Sequence, residues 1–585
     1  MGTSLIASDS LLAIDIGSVH TRAMLFDVVD GRYRFLAGGT ASTTAGAPYH
    51  DIGEGVQQAL EKLSEITGRN LVDQNEHLIL PEKADGSGVD KCVVSLSAGA
   101  PLKVVAVGLL DDVSTESAVQ VASTTYARVA ERLSLIDRRS PAARLDAVLR
   151  TRPDVIIVAG GTEGGASQSL MSLMEAVGLA CYLIPQNQRP EVLFAGNSTL
   201  EPEVESSLKS LVHLTTAPNV RPSLETEQLM PASMQLARIS RSVRLRQMQG
   251  LSELDTWASG KLIPSATGIG RVIRFLSRAF NPTKGALGVD IGASATTAAA
   301  AFGGELSLGV YTDLGLGQGA PGILSASVLE DITRWLTLDI PDADVCDYAY
   351  NKGLHPSSLP ASAVELNIEQ ALARQAMRAA MQRLARWYPK HVRGSGDGLL
   401  PWFEPIIAGG SVLTQAPTPG QALLMLLDGL QPTGITTLAL DQNGLAPVLG
   451  AAAEINSILP IHVLDSSTFL SLGTVISPVG TAKYGSPVLK IKMTFEGDAE
   501  KNMEVKYGSL EVIPLPFGQP ASLQIQPLNR FDVGMGSPGR GGTLTRVAGG
   551  ALGVIIDARG RPLHLPGEAN RRREMNKKWL QAVGG

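Results

Sequence analysis

A strand-like apolar run ending in Asp-Ile-Gly occurs twice in this chain, as LLAIDIG at Leu11–Gly17 and as LGVDIG at Leu287–Gly292. Small and hydroxylated residues follow each copy, SVHT after the first and ASATT after the second. The pattern reads as a strand that stops with an acid at its end. Glycine then lets the next turn bring backbone N–H groups close to a phosphate. The copies are far apart in sequence, so the expectation is two lobes, each contributing one such turn to a single nucleotide.

The length of 585 residues exceeds what one hydrophobic core organises and suggests roughly three to four domains. With 44% hydrophobic and 18% charged residues the composition is that of a soluble globular protein. No apolar run approaches the ~20 residues that span a bilayer, and the N-terminus shows no secretory signal, so no transmembrane segment and a cytoplasmic location are expected. Cys92, Cys181 and Cys346 lack C-x-x-C spacing, which argues against a zinc ribbon, an iron–sulfur cluster or a disulfide framework. A net charge of −6 and 4% aromatic residues fit neither phosphate neutralisation nor base stacking. Nucleic acid is therefore not the expected partner.

Residues 11–43 read as strand, turn, strand, Asp-Gly hairpin, strand, and residues 51–68 as a helix stopped by Gly68. Further strands are expected at 92–97, 103–109 and 154–161, with a helix beginning at Ser114-Thr-Glu-Ser, which implies a wound α/β sheet. The segment PDVIIVAGGTEGG resembles PIIAGGSV at 405–412 and suggests internal repetition. Residues 221–284 read as a helical linker whose Arg238, Arg241, Arg244 and Arg246 form a solvated face. A long amphipathic helix is expected over 363–388. Beyond about residue 460 the short runs broken by Gly and Pro read as an all-β barrel or sandwich, ending in a basic helix. The Asp532-Val-Gly-Met-Gly and Asp557-Ala-Arg559-Gly-Arg561 runs in it are read as turns. The expected division is a first lobe at 11–220, the linker at 221–284, a second lobe at 285–458, the β-module at 460–568 and the helix at 569–585.

In the first turn, Asp15 is placed to hold Mg²⁺ through water, since Mg²⁺ gives up its hydration shell reluctantly. Gly17, Ser18 and Thr21 would donate to phosphate oxygens, and Arg22 would neutralise charge developing on a transferred phosphoryl group. His20 is read as incidental, because such transfer depends on positioning and charge stabilisation. In the second turn Asp290 is the other metal candidate, with Gly292, Ser294 and Thr296 cradling the phosphates. Gly409, Gly410 and Ser411, at the end of an apolar run, would let adenosine pack against backbone. The implied cofactors are ATP and Mg²⁺, with Asp15, Arg22 and Asp290 as the catalytic candidates.

The order of these motifs resembles the glutamate mutase L (MutL) family, a branch of the actin, heat-shock chaperone and sugar-kinase superfamily. The stretches that carry the resemblance include DIGSVHTRAMLFD, RPDVIIVAGGTEGG, FAGN at 194–197, LIPSATGIGRV, LGVDIGASATT, TDLGLGQG, IIAGGSVLTQAP and LALDQNGLAPVLGA, spread over residues 11–455. The resemblance implies an α/β, two-lobed actin-like ATPase (ribonuclease H-like) fold. It also implies a chaperone or reactivating factor whose partners are subunits of an adenosylcobalamin-dependent mutase. Homo-oligomerisation is left open. Three departures from the family pattern point to weakened hydrolysis: Arg22 in place of a lysine, Ala293-Ser294 in place of Gly-Gly, and Ala298 where an acid is frequent. The alternative is a structural actin-like scaffold or filament protein that docks partners through the β-module. A small-molecule kinase would need a cleft base that the sequence does not nominate. A dehydratase activator would need cluster-binding cysteines that the spacing does not supply.

Overall fold

All six residues of LLAIDI are buried, the state of a central strand covered on both faces. In the computed structural model, which describes residues 9–392, 398–497 and 499–585, this strand lies inside the first of two compact units. The N-terminal unit comprises Asp9–Phe26 and Ala37–Gly268; the C-terminal unit comprises Asp27–Leu36 and Ile269–Gly585.

β1 (Leu11–Ile16), β2 (His20–Val29) and β3 (Arg32–Ser42) form a meander, of which Leu11–Phe26 and Ala37–Ser42 lie in the N-terminal unit. Asp30 and Gly31 turn β2 into β3 with φ of 51° and 73°, left-handed at both positions as a tight hairpin requires. β4 (Lys91–Leu96) adds parallel to β1 on its other side. The helix Ile52–Thr67 starts where the Asp51 carboxylate accepts from the Gly53 amide and ends at Gly68, φ 69°. Its buried Val56, Ala59, Leu60 and Leu63 join Leu12, Ile14 and Val94 of the sheet in one core.

A second sheet follows in the same unit: β5 (Leu102–Gly108), β6 (Ala127–Ser134), β7 (Val155–Val158), β8 (Glu191–Phe194) and β9 (Leu214–Thr216). All are parallel, in the order β6-β5-β7-β8-β9. Val105, Val107, Ile156 and Val158 pack under one layer of helices and Val104, Ala106, Val155 and Ile157 under another, as expected of a doubly wound sheet. The AGG turn of the first half follows β7 in this sheet, so it is not the counterpart of the one at 408–410. A parallel strand feeding a helix needs a tight turn wherever it occurs, and two unrelated sheets reached the same glycines.

Residues 221–268 are not a linker. The helix Met230–Gln247 buries Ala232, Leu236, Ile239 and Val243 on the parallel sheet, Leu251 and Leu254 enter the core under β1, and β10 (Ile263–Pro264) pairs with β4. Nor is its basic face simply solvated. Arg241 makes two bonds to Asp255 (2.7 and 2.5 Å), Arg244 is buried with a bond to the Ala100 carbonyl, and Arg246 reaches Glu191 at 2.6 Å.

The C-terminal unit repeats the first topology. β11 (Gly285–Ile291), β12 (Thr296–Phe302) and β13 (Glu305–Tyr311) form the meander, and β14 (Phe403–Gly409) and β15 (Gly434–Leu440) add in parallel. The order β13-β12-β11-β14-β15 matches β3-β2-β1-β4-β10. A ribonuclease H-like sheet present once in each unit is the arrangement of the actin-like ATPase fold. The helix Ala363–Leu384 covers the second copy with Ile368, Leu372, Ala376 and Met377.

The tail is all-β, and it is a sandwich that shares a sheet with the lobe before it. β16 (Leu470–Ser477) pairs antiparallel with β15. β17 (Pro487–Phe495), β18 (Glu500–Lys506), β20 (Pro520–Pro527) and β21 (Gly542–Ala548) make a separate four-stranded sheet. Between them in sequence, β19 (Leu510–Ile513) and, at the end, β22 (Gly553–Asp557) return to β16 and complete an eight-stranded sheet. Leu489, Ile491, Leu523 and Ile525 of the small sheet pack on Ile476, Val554 and Ile556 of the large one. The last helix, Ala569–Ala582, buries Trp579 in the lobe's own core. Among the described residues no helix is long and apolar enough to cross a membrane.

Candidate functional site

β1 and β2 are joined by Gly17-Ser18-Val19, and the turn closes through the Gly17 amide, which donates to the His20 carbonyl at 2.9 Å. A Cβ on residue 17 would sit 2.8 Å from that oxygen, so glycine is required by the turn itself. The amide expected to meet a phosphate is thus already engaged. Thr21 also has a different task from the one expected. It is fully buried, and since Thr43 Oγ1 donates to the Gly17 carbonyl (2.7 Å), Thr21 Oγ1 is the donor in its 2.9 Å bond to Thr43. The pair latches the turn to the chain beyond β3. Ser18 is left as the available group: its hydroxyl oxygen is buried and has no hydrogen-bond partner among the described residues. An unmet buried hydroxyl costs about 1–3 kcal/mol, which a ligand oxygen at the turn would recover.

Asp15 ends β1 opposite Arg22 in the antiparallel register, with Arg22 Nη1 3.7 Å from its Oδ2. Its Oδ1 accepts from the Ser95 hydroxyl at 2.6 Å and the Ser265 hydroxyl at 2.9 Å. Burial pushes the Asp15 carboxyl above its usual range, and Arg22 and the two hydroxyls offset only part of that. Burial, then the neighbouring Arg22 charge, holds the His20 imidazole below its ordinary value. His20 therefore adds no second cation at neutral pH. Ser95 and Ser265 were missed by sequence reasoning. Ser265 stands in the LIPSATGIGRV stretch, which now has a physical meaning: it fixes the acid of the first turn.

The β11–β12 turn is built alike. The Gly292 amide donates to the Ala295 carbonyl at 2.9 Å, and fully buried Thr296 donates to the Leu314 carbonyl at 2.6 Å, so these two are again turn-forming groups. Asp290 faces Thr297 in the register where the first turn sets Asp15 against Arg22. The TDLGLGQG stretch packs beneath: a Cβ on Gly315 would lie 2.5 Å from the Ala293 carbonyl oxygen, and one on Gly317 would lie 2.7 Å from the Ala293 methyl. Ser294 is half-buried at the tip of the turn.

Two motifs separate in sequence converge in this unit. β11 and β14 pair in parallel with Asp290 beside Gly409, and a Cβ on Gly409 would lie 2.6 Å from Asp290 Oδ1. Gly410, φ 97°, would place a Cβ 2.2 Å from the Ile291 carbonyl oxygen. Its own carbonyl accepts from the Leu413 and Thr414 amides, opening the short helix Ser411–Thr414. Asp441, also missed from the sequence, donates its amide to the Ala408 carbonyl (2.8 Å). Its carboxylate receives the amides of Leu445 and Ala446 at 2.8 and 2.7 Å. It thereby fixes the start of the helix Leu445–Ala452 to the end of β14. Its sequence signal was an acid followed by Gly444 ahead of an apolar helix.

Asp15, Ser18 and Arg22 are thus assembled within the N-terminal unit, and Asp290, Ser294, Gly409 and Gly410 within the C-terminal one. The protein MutL of Clostridium tetanomorphum is 25% identical over 442 residues, covering 71% of this chain and 88% of its own length. Two solved structures align loosely. The ethanolamine utilization protein EutJ from Carboxydothermus hydrogenoformans has 9% identity, 76% of this chain and 90% of that chain covered, and a TM-score of 0.28. A glycerol dehydratase reactivase has 11% identity, coverage of 76% and 100%, and a TM-score of 0.29. At that degree of superposition they carry no weight for the chemistry. Residues 11–468 match the MutL protein family, from the first strand to the residue range just before β16, and the chain belongs to that family.

Proposed function

We propose that this MutL-family chain binds ATP with Mg²⁺ through its two Asp-Ile-Gly turns and uses the bound nucleotide to assemble or reactivate an adenosylcobalamin-dependent mutase of the glutamate mutase type. The observation that carries the reading is the first turn itself, where a buried hydroxyl without a partner follows a strand-end acid positioned by two serines. The second turn supports it, because the same glycine closure, buried threonine and strand-end acid recur there. Asp15 and Asp290 would meet Mg²⁺ through its water shell. Arg22 and the Ser18 and Ser294 hydroxyls would contact phosphate oxygens, with adenosine against Gly409, Gly410 and Ser411. A protein with different shapes for its ATP and ADP forms has two affinities for a partner, which is what expelling a damaged cofactor from a mutase requires.

Hydrolysis is expected to be slow. Residue 298 is a fully buried alanine in β12 and brings no carboxylate to the second turn. Arg22 keeps a charge at the first turn with a reach and planarity unlike a lysine's.

Calorimetry with MgATP and MgADP, together with phosphate release, tests the reading on the wild type and on Asp15→Ala and Asp290→Ala. Saturable binding lost in both variants supports it, and absence of nucleotide binding overturns it. The partner is tested by adding the chain and ATP to an inactivated adenosylcobalamin-dependent mutase. Recovery of mutase activity only with ATP is the expected outcome.

A further inference from the structure

The parallel sheet β5–β9 takes no part in either Asp-Ile-Gly turn, yet it contains the GGTEGG and FAGN stretches. Its order, with β6 on one side of β5 and β7 on the other, makes the β5/β7 boundary the point where successive connections diverge. Open parallel sheets leave a ligand crevice there, outside the carboxyl ends of the strands. In this unit the crevice is a cavity of about 410 Å³, within the size range of small-molecule sites. Leu109, Leu110 and Val113 after β5, Leu135 and Ile136 after β6, and Leu224 wall it, and Gly160–Thr162 after β7 form its polar edge.

That edge is held more firmly than a simple connection needs. Asn197, fully buried, accepts from the Gly164 amide at 3.2 Å and donates to the Gly165 carbonyl at 2.8 Å. Asn219, also buried, donates to the Gly161 carbonyl at 2.9 Å, and the Ser198 hydroxyl bonds Glu163. A Cβ on Gly196 would lie 2.7 Å from the Gly160 carbonyl oxygen, so the FAGN glycine allows the two loops to meet. The apolar walls, by contrast, face water: Leu110 is 44% exposed, Ile136 57% and Leu224 66%. Arg221, the one charged residue among the described lining, is already paired with Glu227 at 2.6 Å and bonded to the Ser117 hydroxyl. The cavity therefore offers aliphatic surface, a preorganised backbone edge and no uncompensated charge.

From this geometry we infer a second small-molecule site, independent of the proposed ATP turns. Its ligand is an uncharged organic molecule of about nucleoside size, apolar over most of its surface, that hydrogen-bonds at one end to the Gly160–Thr162 edge and the Thr162 and Ser169 hydroxyls.

The probe is prodan, a neutral naphthalene ketone whose emission shifts to the blue in apolar surroundings, titrated into the full chain. Ser169 is an exposed lining residue on the helix Ser167–Leu183, so Ser169→Trp fills the cavity from outside, and Ile136→Asp puts a charge on its rim. Leu354→Asp, at a 74% exposed leucine of the C-terminal unit, is the control. Saturable one-to-one binding is expected, weakened roughly tenfold or more by each cavity variant and unchanged in the control. MgATP should leave the probe bound. Thermal melts of the variants, each altered at an exposed position, check that they fold. Non-saturable binding, indifference to both cavity variants, or displacement by MgATP would overturn the inference. The calorimetric test of the two Asp-Ile-Gly turns fails or succeeds separately from this one.

Discussion

Replacing Asp557 by asparagine should destabilise the C-terminal unit by about 3–5 kcal/mol, the cost of removing one member of a buried ion pair. The magnitude follows from what surrounds the carboxylate. Asp557 is fully buried, and it accepts from Arg559 Nε at 2.8 Å, Arg559 Nη2 at 3.0 Å and Arg561 Nη2 at 2.5 Å. Asp428 takes Arg559 Nη1 at 2.7 Å and Arg374 Nε at 2.7 Å. Without the Asp557 charge, the Arg374 and Arg559 guanidinium groups share the Asp428 carboxylate, and Arg561 keeps only neutral acceptors: the Pro432 and Gly560 carbonyls and the Ser477 hydroxyl. Asparagine preserves volume, so no cavity contributes. Urea unfolding is the assay, read by tryptophan fluorescence, because Trp579 lies 4.8 Å from Arg559 in a cation–π contact and donates to the Gly508 carbonyl. A shift in midpoint on the order of 1 M is expected. Burial alone would raise the Asp557 pKa, but Arg559 and Arg561 pull it below the carboxylate range. A depressed folded pKa means that the stabilisation is present above the unfolded value of ~3.9 and is lost as pH falls toward the folded one. The gap between wild type and variant should therefore close below about pH 4. A cost under about 1 kcal/mol at pH 7 would show that the network does not hold the tail to the lobe.

Two further outcomes follow from the same contacts. Ser265→Ala removes one of the two hydroxyl donors to Asp15 Oδ1, a charge-assisted bond worth about 1.5–3 kcal/mol. The Asp15 pKa should rise further, and the acid limb of MgATP affinity, measured by calorimetry across pH, should move to higher pH; an unmoved limb would remove Asp15 from nucleotide binding. A chain ending after Thr468, where the family match stops, should fail to fold, since it strips β16 from β15 and takes Leu472, Val475, Ile555 and Trp579 out of the main core. A stable, cooperatively melting fragment of that length would refute the shared-sheet description.

Elements governed by short-range chemistry were legible in the residues alone. Asp30-Gly31 forces a hairpin because both positions are left-handed, and Gly68 stops a helix that Asp51 starts. The amphipathic stretch from 363 gives the helix Ala363–Leu384 and the basic tail the helix Ala569–Ala582. The two Asp-Ile-Gly runs, each read as a strand and a turn, give the recurrent start of the duplicated sheet. What the residues alone left open is which sheet a strand joins. β7 and β14 carry the same Ala-Gly-Gly ending but pair with different neighbours, and residues 221–284 read as a linker until the leucines of 221–268 are seen buried. The tail's texture announced β-structure, yet that β16, β19 and β22 complete the lobe's own sheet depends on pairing across long loops. The site divides in the same way. Strand-end acids and glycine turns are written locally. Only packing shows that the Gly17 and Gly292 amides are spent closing their turns, that Ser265 reaches Asp15, and that Gly409 and Gly410 make room for Asp290 and Ile291. A hydrogen bond or a missing Cβ between residues distant in sequence leaves no local pattern, so the tertiary fold alone decides it.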